Sequence, residues 1–79
     1  MNKEDIGKLL ATITVAYPNY QVVDPEATIN LYHSMLKDYP YNICDSALKA
    51  YIITDTTGFA PSIGKLIEKI NQLTQPRTD

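Results

Sequence analysis

The chain has 79 residues, which limits it to one domain with a small hydrophobic core. Seven Lys and Arg against nine Asp and Glu give a net charge of -2, without the basic excess that binding to nucleic-acid phosphates requires. The single cysteine cannot form an internal disulfide, so we expect a cytoplasmic protein. One cysteine and one histidine cannot supply the four ligands of a structural zinc site. We expect no metal and no cofactor.

The first predicted helix runs from Lys3 to about Tyr17. Asn2 is a suitable N-cap, and two acidic residues occupy the first turn, where the helix dipole favours negative charge. Pro18 ends the helix, because a proline disfavours helix in the residue before it and has no N–H group. Apolar residues at helical spacing predict one buried face, formed by Ile6, Leu9, Leu10, Ile13 and Ala16 or Tyr17.

The second predicted helix begins at Asp24, Pro25 and Glu26, which supply an N-cap acceptor, a proline at the first position and an acid in the first turn. It ends before Pro40. Because a short connection usually joins antiparallel neighbours, we expect this helix to pack against the next one. Its predicted buried face consists of Thr28, Leu31, Tyr32, Met35 and Leu36.

The third predicted helix spans Tyr41–Thr54 and carries apolar residues on more than one face. Ala50 and Ile53 lie beside its main stripe, as in a helix that is covered on several sides. We therefore interpret it as the central helix of a bundle. The main stripe consists of Ile43, Cys44, Ala47, Leu48, Tyr51 and Ile52.

The fourth predicted helix follows a loop at Asp55–Gly58 and has either Ala60 or Ser62 as its N-cap. Residues 74–79 contain no apolar side chain and predict a disordered tail. The sequence thus predicts an all-α protein, a small single-domain bundle of about four helices at residues 1–73 with a flexible C-terminal tail at residues 74–79. The apolar stripe of the fourth helix consists of Ile63, Leu66, Ile67, Ile70 and Leu73.

No residue pattern in the chain indicates catalysis or membrane insertion, so we predict neither. Cys44 falls on an apolar stripe, which indicates a small buried hydrophobe rather than a nucleophile. His33 has no Cys or carboxylate one turn away to form a catalytic or metal pair, so it is interpreted as a solvated or half-buried side chain. Gly64 lacks the spaced glycines of a phosphate loop, and close helix packing explains it better.

Three blocks of the sequence resemble the folded N-terminal domain of the bacteriophage replicative-helicase loader and inhibitor family, a group of small phage replisome proteins. The blocks are LLATITVAYPNY, DPEATINLYHSMLKDYPYNICDSALKAYI and FAPSIGKLIEKI, which together cover about Leu9 to Ile70. Their order and spacing carry the resemblance more than any single block does.

The resemblance implies a compact helical bundle that binds the hexameric replicative helicase, inhibits it and delivers it to an origin-binding initiator protein. Such a protein acts by binding in the bacterial host cytoplasm, without catalysis, a cofactor, direct contact with nucleic acid or a membrane. A flexible C-terminal segment is implicated in gripping the helicase in that family. Because the chain ends at Asp79, we expect this segment to be shortened or absent here.

The predicted partner-binding residues lie at the second of two Tyr-Pro corners and in the tail. Tyrosine is enriched in protein interfaces, although covering the ends of a small core is its simpler role here. If the helices run up and down, the first corner lies beside residues 54–59, and the second lies at the opposite end, from which the tail leaves. The predicted contact residues are Tyr39, Tyr41, Gln75, Pro76 and Arg77.

The alternative interpretation is a small DNA-binding domain of helix-turn-helix type. A recognition helix exposes Arg, Lys, Asn or Gln, and the fourth helix offers Lys65, Lys69, Asn71 and Gln72. Glu68 lies beside the two lysines, which favours a solvated face over a phosphate-binding one.

Overall fold

The structure, a computed structural model, describes residues 1–74, and these form four α-helices without a strand. The helices are α1 (Lys3–Ala16), α2 (Pro25–Leu36), α3 (Tyr41–Thr54) and α4 (Ile63–Thr74). The predicted all-α class and the four helices are confirmed, and α3 has the predicted bounds. Thr74, assigned to the tail by the sequence pattern, is the last residue of α4. The rest of the predicted tail lies outside the described residues, so the domain boundary stays a prediction.

The helices begin where local hydrogen bonds satisfy their first N–H groups. Asn2 Oδ1 accepts from the Asp5 N–H at 2.8 Å, and Asp5 Oδ2 accepts from the Asn2 N–H at 3.3 Å, which completes a capping box. Asp24 caps α2 as predicted, through the N–H three residues later. Ser62 Oγ accepts in the same way at 3.2 Å, so Ser62 rather than Ala60 is the N-cap of α4.

The helices pack in a ring, in which α1 contacts α2 and α3, and α4 contacts α3 and α2. α2 and α3 lie across the ring from each other, so the prediction that they pack together was wrong. α3 contacts only α1 and α4, and so has two neighbours like every other helix of the ring. The interpretation of α3 as a central helix was therefore also wrong. A short loop fixes only the distance between helix ends, and here α1 lies between the two helices. The Met1 amine donates to the Lys37 carbonyl of that loop at 3.0 Å.

The chain direction alternates from helix to helix. The Tyr17 hydroxyl, directly after α1, donates to Asp55 Oδ2, directly after α3, at 3.0 Å. Early in α1, Lys8 Nζ lies 5.7 Å from the centroid of the Tyr41 ring at the start of α3. α1 and α3 therefore run in the same direction. We call the end with the α1–α2 and α3–α4 loops the Tyr17 end, and the end with the N-terminus and the α2–α3 loop the Tyr41 end.

One face of each helix forms the hydrophobic core. The predicted stripe of α1 is buried, with Tyr17 rather than Ala16 as its last buried residue. Cys44 is buried as predicted, and burial raises the pKa of its thiol. Pro61, before α4, is also buried. The buried hydrophobic residues of the core are Ile6, Leu9, Leu10, Ile13, Tyr17, Tyr32, Leu36, Cys44, Ala47, Leu48, Tyr51, Leu66 and Ile70.

Several apolar residues that the pattern assigned to the core are exposed. Leu31 and Met35 of α2 are about half exposed, because each precedes a buried residue, Tyr32 or Leu36, and so lies about 100° away around the helix. α3 has neighbours on two sides only, which leaves its second apolar face uncovered. Two further apolar residues near helix ends are exposed because no other helix covers them, Ile53 and Leu73.

Gly64 lies on the exposed side of the first turn of α4, and a Cβ atom there would meet only Ser62 Oγ, at 3.9 Å. The prediction that close helix packing explains this glycine was therefore wrong. His33 is half-buried in α2, in agreement with its interpretation as a solvated or half-buried side chain.

Candidate partner-binding surfaces

Two of the five predicted contact residues lie together at the Tyr41 end. Tyr39 and Tyr41 are half-buried and pack against the core. The Tyr39 N–H donates to the Leu36 carbonyl at 3.0 Å, which closes the turn after α2. Lys8 lies over the Tyr41 ring within cation–π range. Both side chains therefore pack against the core and remain partly accessible to solvent. The other predicted contacts, Gln75, Pro76 and Arg77, lie outside the described residues.

A second aromatic surface lies at the Tyr17 end, where the two loops flank an open cleft of about 480 Å³. Three tyrosines, from the C-cap of α1, the α1–α2 loop and α2, form one wall, and the segment before α4 forms the other. The residues that line the cleft are Tyr17, Asn19, Tyr20, Tyr32, Gly58, Phe59, Ala60, Pro61 and Ser62. The pattern of Tyr-Pro corners correctly indicated that the first corner lies beside the α3–α4 loop.

Asp55 holds the α3–α4 loop in place. Its carboxylate accepts hydrogen bonds from the Thr57 N–H at 2.9 Å, the Thr57 hydroxyl at 2.6 Å, the Gly58 N–H at 3.1 Å and the Tyr17 hydroxyl at 3.0 Å. These bonds, those of Thr57 first, hold the pKa of Asp55 below its usual value. Gly58 completes the turn with a φ of 78°, a left-handed conformation that glycine adopts at little cost.

Two tyrosine hydroxyls connect the walls of the cleft to the rest of the bundle. The Tyr51 hydroxyl of α3 donates to the Phe59 carbonyl at 2.9 Å. The Tyr51 ring also lies against Tyr17, with 6.3 Å between ring centroids and 52° between ring planes. Burial first, and then the hydrogen bond to Asp55, raise the pKa of Tyr17 to about 12. Burial first, and then the nearby Tyr20 side chain, raise the pKa of Tyr32, and both phenols are protonated at neutral pH.

The Asp55 network is expected to make the domain acid-sensitive. Because the folded state lowers the pKa of Asp55 below the ordinary 3.8, its stabilising effect is complete above that pH and is lost as the pH falls towards the folded value. We expect Asp55→Asn to lose less stability than the parent chain between about pH 6 and about pH 2.5, as measured by urea unfolding. Asp38→Asn, at an exposed position, is the matched control. Equal losses in all three chains would contradict this role.

Phe59 is the residue of this surface that the sequence analysis missed. Its side chain is 75% exposed at the rim of the cleft, although its backbone is fixed. The neighbouring residues could have indicated its exposure, because a phenylalanine between a glycine and Ala60-Pro61 lies in no helix that would cover it.

The surface proposed for the helix-turn-helix alternative is a shallow groove along α4. Three of the four residues proposed for it, Lys65, Lys69 and Gln72, line this groove of about 240 Å³ together with Tyr51, whereas Asn71 is exposed outside it. Glu68 lines it as well, so a carboxylate accompanies the two ammonium groups. Among residues 1–74, no group of three His, Cys, Asp or Glu side chains is placed to hold a metal ion. None of the four described helices has the length and apolar character needed to span a membrane.

Comparison with known proteins gives a match at the level of a family. No curated protein and no solved structure matches this chain. The family model for the N-terminal domain of the phage helicase loader and inhibitor protein matches residues 1–67, which extend from the N-terminus into α4 and include both tyrosine corners and the cleft. Since the match covers most of the chain, this protein belongs to the family of that N-terminal domain, the phage helicase loaders and inhibitors.

Proposed function

We propose that this chain binds the hexameric replicative helicase, inhibits it, and helps to load it at an origin held by the phage initiator protein. The observation that carries the proposal is family membership, because the matched region includes all of α1, α2 and α3. The proposed activity is binding, with no chemical step performed by the chain and no direct contact with DNA.

The proposed helicase contact consists of Tyr39 and Tyr41 with the tail residues Gln75, Pro76 and Arg77. The course of α4 supports this grouping. α4 begins beside the cleft at the Tyr17 end, and its 12 residues give a length of about 18 Å. Thr74, the last residue of α4, is therefore distant from the cleft and lies towards the end that carries the two tyrosines. Tyrosine side chains with a buried body and an accessible hydroxyl are common contacts in protein interfaces.

The test is inhibition of the helicase ATPase by the parent chain and by a Tyr39→Ala, Tyr41→Ala double variant. We expect the parent chain to bind the helicase and inhibit it weakly, because the gripping segment is expected to be shortened, and the double variant to need about tenfold more protein for the same effect, the loss typical of an interface hot spot. Tyr20→Ala, a half-buried tyrosine at the opposite end, is the matched control and is expected to inhibit normally. Circular dichroism should show that all three chains are folded.

The possible outcomes separate the function from the contact site. If the parent chain neither binds nor inhibits the helicase, the proposed function is wrong. If Tyr20→Ala weakens inhibition and the double variant does not, the helicase contact lies at the Tyr17 end. In parallel, duplex DNA at physiological salt is expected not to bind, because the net charge of -2 offers few phosphate contacts.

A further inference from the structure

Lys8 of α1 and Tyr41 of α3 are in contact at the end of the bundle that carries the proposed helicase contact. Lys8 Nζ lies 5.7 Å from the centroid of the Tyr41 ring, within the distance at which an ammonium group is attracted to an aromatic face. The Tyr41 ring also packs against the core. It is therefore held by the core and by a side chain of the neighbouring helix.

An ion pair does not explain the position of Lys8. Glu4 precedes Lys8 by one helical turn, a spacing at which glutamate and lysine commonly pair. The two side chains form no salt bridge, and the one ion pair within residues 1–74 joins Lys49 to Asp45 at 2.9 Å. The Lys8 ammonium lies instead over an aromatic ring of another helix. Among the described residues, the Tyr41 ring is therefore the partner of this ammonium.

The hydroxyl of Tyr41 is available to a partner protein. The hydroxyls of Tyr17 and Tyr51 are bonded within the bundle, the first to Asp55 and the second to the Phe59 carbonyl. That of Tyr41 has no hydrogen-bond partner within residues 1–74, and its side chain is half-buried. A tyrosine whose ring is already held loses little conformational entropy when it binds, so more of its contact energy contributes to affinity.

We propose that Lys8 is a positioning residue for the helicase contact, which it supports by holding the Tyr41 ring in the orientation that the helicase binds. This inference rests on the proposed function and adds to it a residue that acts through Tyr41 without touching the helicase. A different side chain that places a cation over the ring can replace Lys8. An uncharged side chain of similar helix propensity cannot.

The test is a double-mutant cycle on binding of the 79-residue chain to the hexameric helicase. We expect Lys8→Gln to weaken binding by about two- to fivefold, the effect of an exposed cation–π contact, and Lys8→Arg to bind like the parent chain. In a Tyr41→Ala background, Lys8→Gln is expected to change binding by less than about 1.5-fold, because the ring on which it acts is absent. Lys3→Gln, which removes an exposed charge from the same end of α1, is expected to bind like the parent chain.

The contact between Lys8 and Tyr41 can also be measured without the helicase. In NMR spectra of the parent chain, we expect the ε-methylene signal of Lys8 to lie upfield of the other lysine signals, because the ring current of Tyr41 shields it. Tyr41→Ala is expected to abolish this shift. Circular dichroism should show that the Lys8 variants are folded, since Lys, Gln and Arg have similar helix propensities.

Several outcomes would overturn the inference while the parent chain still binds the helicase. These are an unshifted Lys8 signal, binding by Lys8→Arg as weak as that by Lys8→Gln, and an equal loss in Lys3→Gln. An equal effect of Lys8→Gln with and without the Tyr41 ring would make Lys8 a direct helicase contact instead. A parent chain that does not bind the helicase at all overturns the proposed function together with this inference, so the two failures are distinct.

Discussion

Leu48→Ala is expected to lower the free energy of unfolding by about 2–5 kcal/mol, and Leu66→Ala by a similar amount. Both side chains are buried, at 0% and 1% exposure, and they come from α3 and α4, the helix pair with the most extensive contact. Truncation removes apolar contacts and leaves a cavity that neighbouring helices fill only in part. A domain of this size has a total stability of about 4–12 kcal/mol, so either change removes a large share of it.

Urea unfolding followed by circular dichroism measures this loss directly. Leu31→Ala is the matched control, because the same atoms are removed from a leucine that is about half exposed. Its cost is expected to stay below about 1 kcal/mol. A loss in Leu31→Ala as large as that in Leu48→Ala would show that α2 buries a different face in solution.

Cys44 is expected to react with a thiol reagent at least about a thousandfold more slowly in the folded chain than in urea. The side chain has 0% exposure, so the reagent reaches it only after the bundle opens. An opening free energy of about 4 kcal/mol gives roughly three orders of magnitude of protection. Burial also raises the pKa of the thiol, so the closed state itself holds little reactive thiolate.

The labelling rate of Cys44 also measures the stability of the core, independently of circular dichroism. Leu48→Ala is expected to shorten the labelling time about tenfold for each 1.4 kcal/mol of stability that it loses, and Leu31→Ala to shorten it by no more than about fivefold. Rapid labelling of the parent chain would mean that α3 separates locally from its neighbours while the rest of the bundle stays folded.

The sequence predicted the helices well because their ends carry strong local signals. The first N–H groups of three helices are satisfied by nearby side chains, those of Asn2, of Asp24 in the Asp24-Pro25 pair, and of Ser62. No distant contact is needed to fix where these helices begin. The neighbours of each helix could not be predicted in this way. Loop length fixes only the distance between consecutive ends, and the position of α1 between α2 and α3 depends on how all four apolar faces fit together.

The candidate surfaces were predictable to a smaller extent. Tyrosines beside prolines marked both ends of the bundle, and the structure places Tyr17 and Tyr20 beside the α3–α4 loop as expected. The position of Phe59 depends on the Tyr51 hydrogen bond and on the Asp55 network, which joins the end of α1 to the loop after α3. Contacts of that kind leave no periodic pattern in a sequence.

The ring arrangement of the helices also determines the order in which they can assemble during folding. α3 and α4 are consecutive in the chain, share the most extensive contact and are joined by a hydrogen-bonded turn, so they can associate after closing only a short loop. The α1–α3 and α2–α4 contacts join residues much farther apart in sequence and close the ring later. α1 and α2 are a second consecutive pair in contact, and a helical topology with local pairs of this kind belongs to the class of domains that fold within microseconds to milliseconds.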